Sequence, residues 1–344
     1  MYKKSTYIKF VFLFLSILLL GIFFLDLLSG SVKISIQDVI GFMTGKESGN
    51  NSLILAQFRF PKAVTAVIAG AAMACSGLIM QTVFRNPLAG PDVLGVSSGA
   101  GLGVALMVLT VTPFVHTSSI SWLHGWGVIF AAWIGAGGVM VVMMTISSRM
   151  RDIMTVLIVG ILIASAVSSI VSLLQYFSNE SMLKTYVIWT MGNIGNLSGP
   201  QVKALALSSS VGLLLALMEI KPLNAIIMGE TFARTVGVNI KASRLLLFAS
   251  ASILAGSVTA FCGPVAFIGV AVPHIARLMT GSSDHRVLMP ASLIMGSITL
   301  LLSDILANIP PSGSVLPINT VTSLIGIPVI LWIIIGKKGI KKTF

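Results

Sequence analysis

Five stretches of this chain contain no Asp, Glu, Lys or Arg: residues 63–84, 93–148, 153–179, 245–276 and 305–336. Each is long enough for at least one helix of about 20 residues, the length that crosses the hydrocarbon core of a bilayer. A soluble domain carries charge throughout its surface, at roughly 25% of residues. Here only 9% of the 344 residues are charged and 56% are hydrophobic, with a mean hydropathy of +1.00. A transmembrane β-barrel is excluded by the same runs, because its strands turn every second residue toward a polar lumen. The chain reads as an all-α integral membrane protein.

Lys3, Lys4 and Lys9 precede an apolar run from Phe10 to Leu25 that resembles a signal peptide. The run is longer than the usual apolar region of about 7–15 residues, and many spans follow it, so an uncleaved first helix is expected. Ten spans are expected at about 7–28, 61–83, 93–111, 126–147, 153–176, 201–218, 243–262, 265–280, 287–308 and 316–336. Only Thr112, Pro113 and the Ser118–Ser121 cluster mark the boundary between the third and fourth. With the N-terminus inside, 16 of the 22 Lys and Arg fall on the cytoplasmic side and 6 outside, as the positive-inside bias requires. Both termini are then cytoplasmic. The net charge of +12 is explained by orientation, without a nucleic-acid partner.

No segment is large enough for a soluble domain. The longest loops are about 29–60 outside and 219–242 inside, so an ATP-hydrolysing module must be a separate chain. Gly41-Phe-Met-Thr-Gly45-Lys46-Glu47 imitates a phosphate loop but is one residue short and has Glu where a magnesium-binding Ser or Thr belongs. Gly99-Ala-Gly101-Leu-Gly103 lacks the preceding strand of a dinucleotide site. Gly95, Gly99 and Gly103 instead recur every four residues, a spacing for close helix packing.

Catalytic constellations are not visible. The ten carboxylates lie mostly at expected helix ends or in loops, with Asp304 nearest the interior. Ion-coupled carriers ordinarily hold ionisable groups at membrane depth. His116, His124, His274 and His285 have no metal-ligand spacing, and Cys75 and Cys262 read as small packing residues. Polar residues do form stripes. On the fifth span Ser165, Ser168, Ser169, Ser172, Gln175 and Tyr176 share an arc of roughly 120°. On the tenth, Asn319, Thr322, Ser323 and Gly326 fall on one side. Two readings stay open, interhelical hydrogen bonding and a wet pathway for a polar solute.

The internal loop 219–242 differs in kind. Pro222 interrupts helix, and Gly229-Glu230-Thr-Phe-Ala233-Arg234-Thr-Val-Gly237 reads as a short helix with an acid at its positive end and glycine at its left-handed exit. Phe232 and Val236, exposed on so small an element, predict a partner surface.

These residues, in order, resemble the FecCD-type permease subunits of binding-protein-dependent ABC importers for iron-siderophores, haem and cobalamin. Arg59-Phe-Pro61-Lys62 opens the second span, followed by Gly70, Gly77 and Gln81, then Arg85-Asn86-Pro87-Leu88-Ala89-Gly90-Pro91 with Leu94-Gly95. Trp189-x-Met191-Gly192, the 229–237 segment, Phe267-Ile268-Gly269 and Pro273-His274-x-x-Arg277 come next. Asp284-His285-Arg286, Leu288-x-Pro290, Asp304, Leu316-Pro317 and Thr322-x-x-x-Gly326-x-Pro328 complete the set. Asn308, Val315 and Lys62 depart from the usual Arg, acidic residue and Arg.

The resemblance implies a homodimer of ten-helix subunits in the bacterial cytoplasmic (inner) membrane, with the pathway on the twofold axis. It also implies two cytoplasmic ATPases, which carry the ATP and magnesium, and an external solute-binding protein; this chain binds no cofactor or metal. Gly229, Glu230, Ala233, Arg234 and Gly237 would couple to the ATPase. Ser165, Ser168, Ser169, Ser172, Gln175, Asn319, Thr322 and Ser323 would line the pathway, and Arg59 and Lys62 would meet the binding protein. The competing expectations are an ATP-independent secondary transporter of a polar solute and, less supported, an intramembrane enzyme.

Overall fold

A computed structural model describes residues 2–30, 32–45, 49–111, 123–150, 152–309 and 315–335. Residues 112–122, on which the boundary between the third and fourth expected spans falls together with His116, lie outside the described residues, as do Lys46, Glu47, Arg151 and the four C-terminal lysines. The side chains of Lys3, Lys4 and His124 are likewise not described.

Every regular element is helical among the described residues. Helix α1 (Tyr2–Leu28) leads to α2 (Ile36–Thr44), then to α3 (Asn50–Ile54), which continues through a π-helical turn at Leu55–Arg59 into α4 (Phe60–Val83). The π turn has a local cause: Pro61 has no N–H to donate and its ring crowds the preceding turn, so the register widens just before it. A 3₁₀ turn (Pro91–Leu94) precedes α5 (Val96–Ala105), which ends in a π turn at Leu106–Val111. Another π turn (Leu123–Gly127) opens α6 (Val128–Arg149). Then follow α7 (Ile153–Tyr176), α8 (Glu180–Thr190), α9 (Gly199–Met218), α10 (Ile220–Ile227), α11 (Glu230–Thr235), α12 (Ile240–Cys262), α13 (Ile268–Thr280), α14 (His285–Ala307) and α15 (Ile318–Ile335).

Among the described residues seven helices are long and apolar enough to cross a membrane, and shorter apolar helices occur at Val96–Thr110, Ile268–Thr280 and Ile318–Trp332. Each overlaps one of the expected spans. The described part of the phosphate-loop imitation, residues 41–45, is a helix end, with Gly45 at φ +68° closing α2.

Helix α4 is the hub, packed against α14, α12, α13 and α9. The apolar windows of α4 and α12 are each 78% buried, against 22% for α7. Small residues make this density possible. A Cβ on Gly70 would lie 2.2 Å from the Gly296 carbonyl oxygen, and one on Gly296 would lie 2.3 Å from that of Gly70, so α4 and α14 touch backbone to backbone. Gly99 and Gly103 of α5 meet Gly135 and Ala131 of α6 in the same way. Gly95 does something else than its four-residue spacing predicts: it sits at φ +71° in the turn before α5, a conformation that side-chain-bearing residues avoid.

Hydroxyls and amides stitch the hub. Ser76 Oγ donates to the Ala251 carbonyl at 2.9 Å, Ser250 Oγ to Gly212 at 2.7 Å, Ser297 Oγ to Val67 at 2.8 Å and Gln81 Nε2 to Val270 at 2.9 Å. Such interhelical bonds contribute about 0.6 kcal/mol each in membrane proteins. His274 lies 2.9 Å from the Pro87 carbonyl, and His285 is held between Thr82 and Asn224, so both described histidines act as structural ties. Cys75 and Cys262 are free and buried.

Candidate pathway and coupling sites

The two polar stripes have different surroundings. Asp152 caps α7: its carboxylate accepts from the Met154 and Thr155 N–H groups and the Thr155 hydroxyl. The Thr155 hydroxyl, then those two N–H groups, hold this carboxyl below the usual carboxylate range. Beyond the cap, Ser165, Ser168, Ser169, Ser172 and Tyr176 are all exposed on the single chain, and Gln175 is half-buried. Ser165, Ser169 and Ser172 donate to the carbonyls four residues back at 2.9, 3.1 and 3.0 Å. This self-contained bonding lets a hydroxyl stripe lie on an apolar helix with no protein neighbour over it.

On α15 the stripe turns inward. The Ala266 N–H donates to Asn319 Oδ1 at 3.2 Å, Asn319 Nδ2 donates to the Thr190 carbonyl at 3.4 Å, and the Asn319 N–H donates to Met191 at 3.2 Å. Thr322 is buried, Ser323 is half-buried, and Gly326 is so close to Phe267 that a Cβ would lie 2.3 Å from the Phe267 Cβ. Asn319 is a clasp between three segments, a role that the sequence pattern does not reveal because its partners are backbone atoms far away in the chain.

At one end of the bundle, α11 falls within the segment expected to form a short helix. Gly229 precedes it at φ +113° and Gly237 follows at φ +84°. Ala233 is fully buried, while Phe232 and Val236 are 45% and 56% exposed. Glu230 binds Arg244 at 2.7 Å and approaches Arg234 at 3.8 Å. Arg244 was not evident as part of this unit: it reads as one more inward-side cation near the start of a span. Nearby, burial raises the Asp284 carboxyl, but hydrogen bonds from the Arg286 N–H and the Asn224 amide outweigh it and hold the group below its ordinary range.

At the opposite end α1 packs beside α14, which brings together charges the sequence keeps apart. Asp26 and Asp304 are both buried and their carboxyls lie against one another. Asp26 has the helix-end position expected of it, two residues before the end of α1, but is buried there. Lys62 Nζ binds Asp304 at 2.8 Å and reaches Asn308 at 3.5 Å. Arg59 is turned inward, 8% exposed, donating to the Leu27 carbonyl at 2.7 Å and to that of Val32. Of the two basic residues expected at an external docking face, Lys62 is the more outward, and Arg59 holds the backbone at Leu27 and at Val32. A cavity of about 340 Å³ joins Asp26, Arg59, Lys62, Asn193, Asp304 and Asn308.

Membrane-length apolar helices packed around a glycine-lined hub define a polytopic membrane protein. The sequence profile of the FecCD transport family matches residues 17–336, and the chain belongs to that family. Among its relatives, the vitamin B12 import system permease protein BtuC of Klebsiella pneumoniae is 34% identical over 292 residues, 85% of each chain. The protein of the same name from Salmonella schwarzengrund is 33% identical over 317 residues, 90% of this chain and 94% of the relative. A solved structure assigned to the metal-chelate type of ABC transporter, in an inward-facing conformation, superposes with a TM-score of 0.80 at 26% identity, covering 96% of this chain and 99% of that one. PsaBC from Streptococcus pneumoniae, solved with a Fab, shares the fold at a TM-score of 0.52 and 15% identity, over 85% of this chain and 94% of that chain. The protein is thus an ABC-importer permease subunit, a transport component and not an enzyme, of the bacterial cytoplasmic membrane.

Proposed function

We propose that this chain, as a homodimer with the pathway on its twofold axis and ten crossings per subunit, imports a metal chelate of the siderophore, haem or cobalamin class. Cobalamin is the chelate favoured by the names of the relatives at 33–34% identity. The solute arrives on an external binding protein that docks over Lys62, on the platform braced by Arg59. Two cytoplasmic ATPases, which hold the ATP and magnesium, engage Gly229, Glu230, Ala233, Arg234 and Gly237. The single observation that carries the pathway assignment is the α7 stripe: an apolar helix exposes four serines on a face that no described residue of its own subunit covers. A second copy placed stripe to stripe would enclose a hydroxyl-lined passage.

The test is uptake into vesicles containing this permease, its ATPase and its binding protein. Cyanocobalamin, a ferric siderophore and haem would each be offered with ATP inside and no ion gradient. ATP-dependent accumulation of one of them is expected. Accumulation driven by an ion gradient with ATP depleted would establish secondary transport instead.

A further inference from the structure

Helix α11 has six residues, and isolated helices shorter than about 12 residues are marginal. It is held to its surroundings at identifiable points. Ala233 is fully buried, and Glu230 is paired with Arg244 at 2.7 Å. Arg244 lies one turn inside α12 and is 7% exposed. A buried cation on α12 therefore faces the knob.

Helix α12 then runs for 23 residues, about 35 Å, packed against α9, α6 and α4. Its far end is clasped as firmly as its near end. The Asn193 N–H donates to the Cys262 carbonyl at 2.7 Å, and a Cβ on Gly263 would lie 2.6 Å from the Trp189 carbonyl oxygen. Met191, Gly192, Asn193 and Lys62 line one cavity with Asp304 and Leu316. One buried rod thus spans from the cytoplasmic knob to the external rim.

We propose that Arg244 is the positioning residue that fastens the coupling helix α11 to α12, so that displacement of α11 by the ATPase is delivered along α12 to the external rim. The inference rests on the importer reading above. An ion pair suits this role, because a guanidinium holds a carboxylate in a defined geometry, whereas an apolar contact alone would let so short a helix slide.

The test uses the assembled permease and ATPase in lipid nanodiscs. Asn196 is exposed at the rim and the two native cysteines are buried, so Asn196→Cys gives a single reporter thiol. Its maleimide labelling rate would be measured without nucleotide and with ATP and vanadate. The parent complex should show a nucleotide-dependent change. Arg244→Gln and Glu230→Gln, which break the same contact from opposite sides, should each shrink that change at least about fivefold, the lower end of ordinary allosteric coupling. Arg244→Lys, which keeps the charge, should retain most of it. A full response in Arg244→Gln would overturn the proposal. So would a full response in Glu230→Gln beside lost responses in both Arg244 variants, since Arg244 would then act on the fold alone. No nucleotide response in the parent complex, in a preparation whose ATP-driven uptake is intact, would overturn this inference alone, since no displacement would then reach the rim; the importer reading is decided by the uptake assay.

Discussion

Helices α7 and α15 carry polar residues at similar helical spacing, yet the fold uses them oppositely. The serines of α7 bond to their own helix and face away from the subunit. Asn319 and Thr322 of α15 are turned toward it, and Asn319 grips the backbone at Thr190, Met191 and Ala266. Periodicity says which residues share a face; it does not say what lies opposite that face. Only the α7 stripe has the exposure that a passage between two subunits demands. The α15 stripe is in large part a fastening.

The contrast can be broken most forcefully at Asn319. Leucine there would strand the Ala266 N–H and the Thr190 carbonyl, and a buried polar group left without its partner is worth about 1–3 kcal/mol. Asn319→Leu should lower the thermal unfolding midpoint of the detergent-solubilised protein markedly and reduce its yield in the membrane, with uptake falling in proportion to folded protein. Unchanged stability would show that the clasp is dispensable and that Asn319 is free to serve the solute.

The membrane class, the helical content and the short helix within 229–237 were legible in the sequence because each depends on local pattern: charge-free length, glycine placement, and an acid at a helix start. What was not legible depends on tertiary neighbours. Asp26 and Asp304 are remote in sequence and meet because α1 packs beside α14. Arg59 belongs to a docking motif in the resemblance, but the fold turns its guanidinium onto two carbonyls. Gly95 shares the spacing of Gly99 and Gly103 and yet forms a turn, because the helix starts one residue after it.

Ser169→Leu and Ser172→Leu sharpen the comparison from the other side. Both residues are exposed and bonded only to their own helix turn, and leucine is a favourable residue in a membrane helix. Insertion and unfolding midpoint should be preserved, while ATP-driven uptake falls severalfold as bulky apolar groups enter the passage. Normal uptake in both variants would mean that this face packs against something other than the solute.

The smallest expected effects discriminate best, because they differ in sign. Ser165→Ala removes a hydroxyl that satisfies only the Ile161 carbonyl of its own helix, a carbonyl that already takes part in helix bonding. Back-bonding serines slightly weaken helices and alanine is the better helix former. The change in stability should therefore lie within about 0.5 kcal/mol and on the stabilising side. Thr322→Ala removes a methyl group as well as a hydroxyl from a side chain that is 2% exposed. Losing a buried carbon costs about 0.8 kcal/mol in transfer alone, and the void left behind adds to it, so this variant should be destabilised by about 1 kcal/mol or more. Chemical denaturation of the two variants in one detergent reads the difference directly. If Ser165→Ala proved the more damaging, the α7 face would be buried against a protein partner in the working state. The exposed stripe would then be a subunit seam and not the wall of a passage.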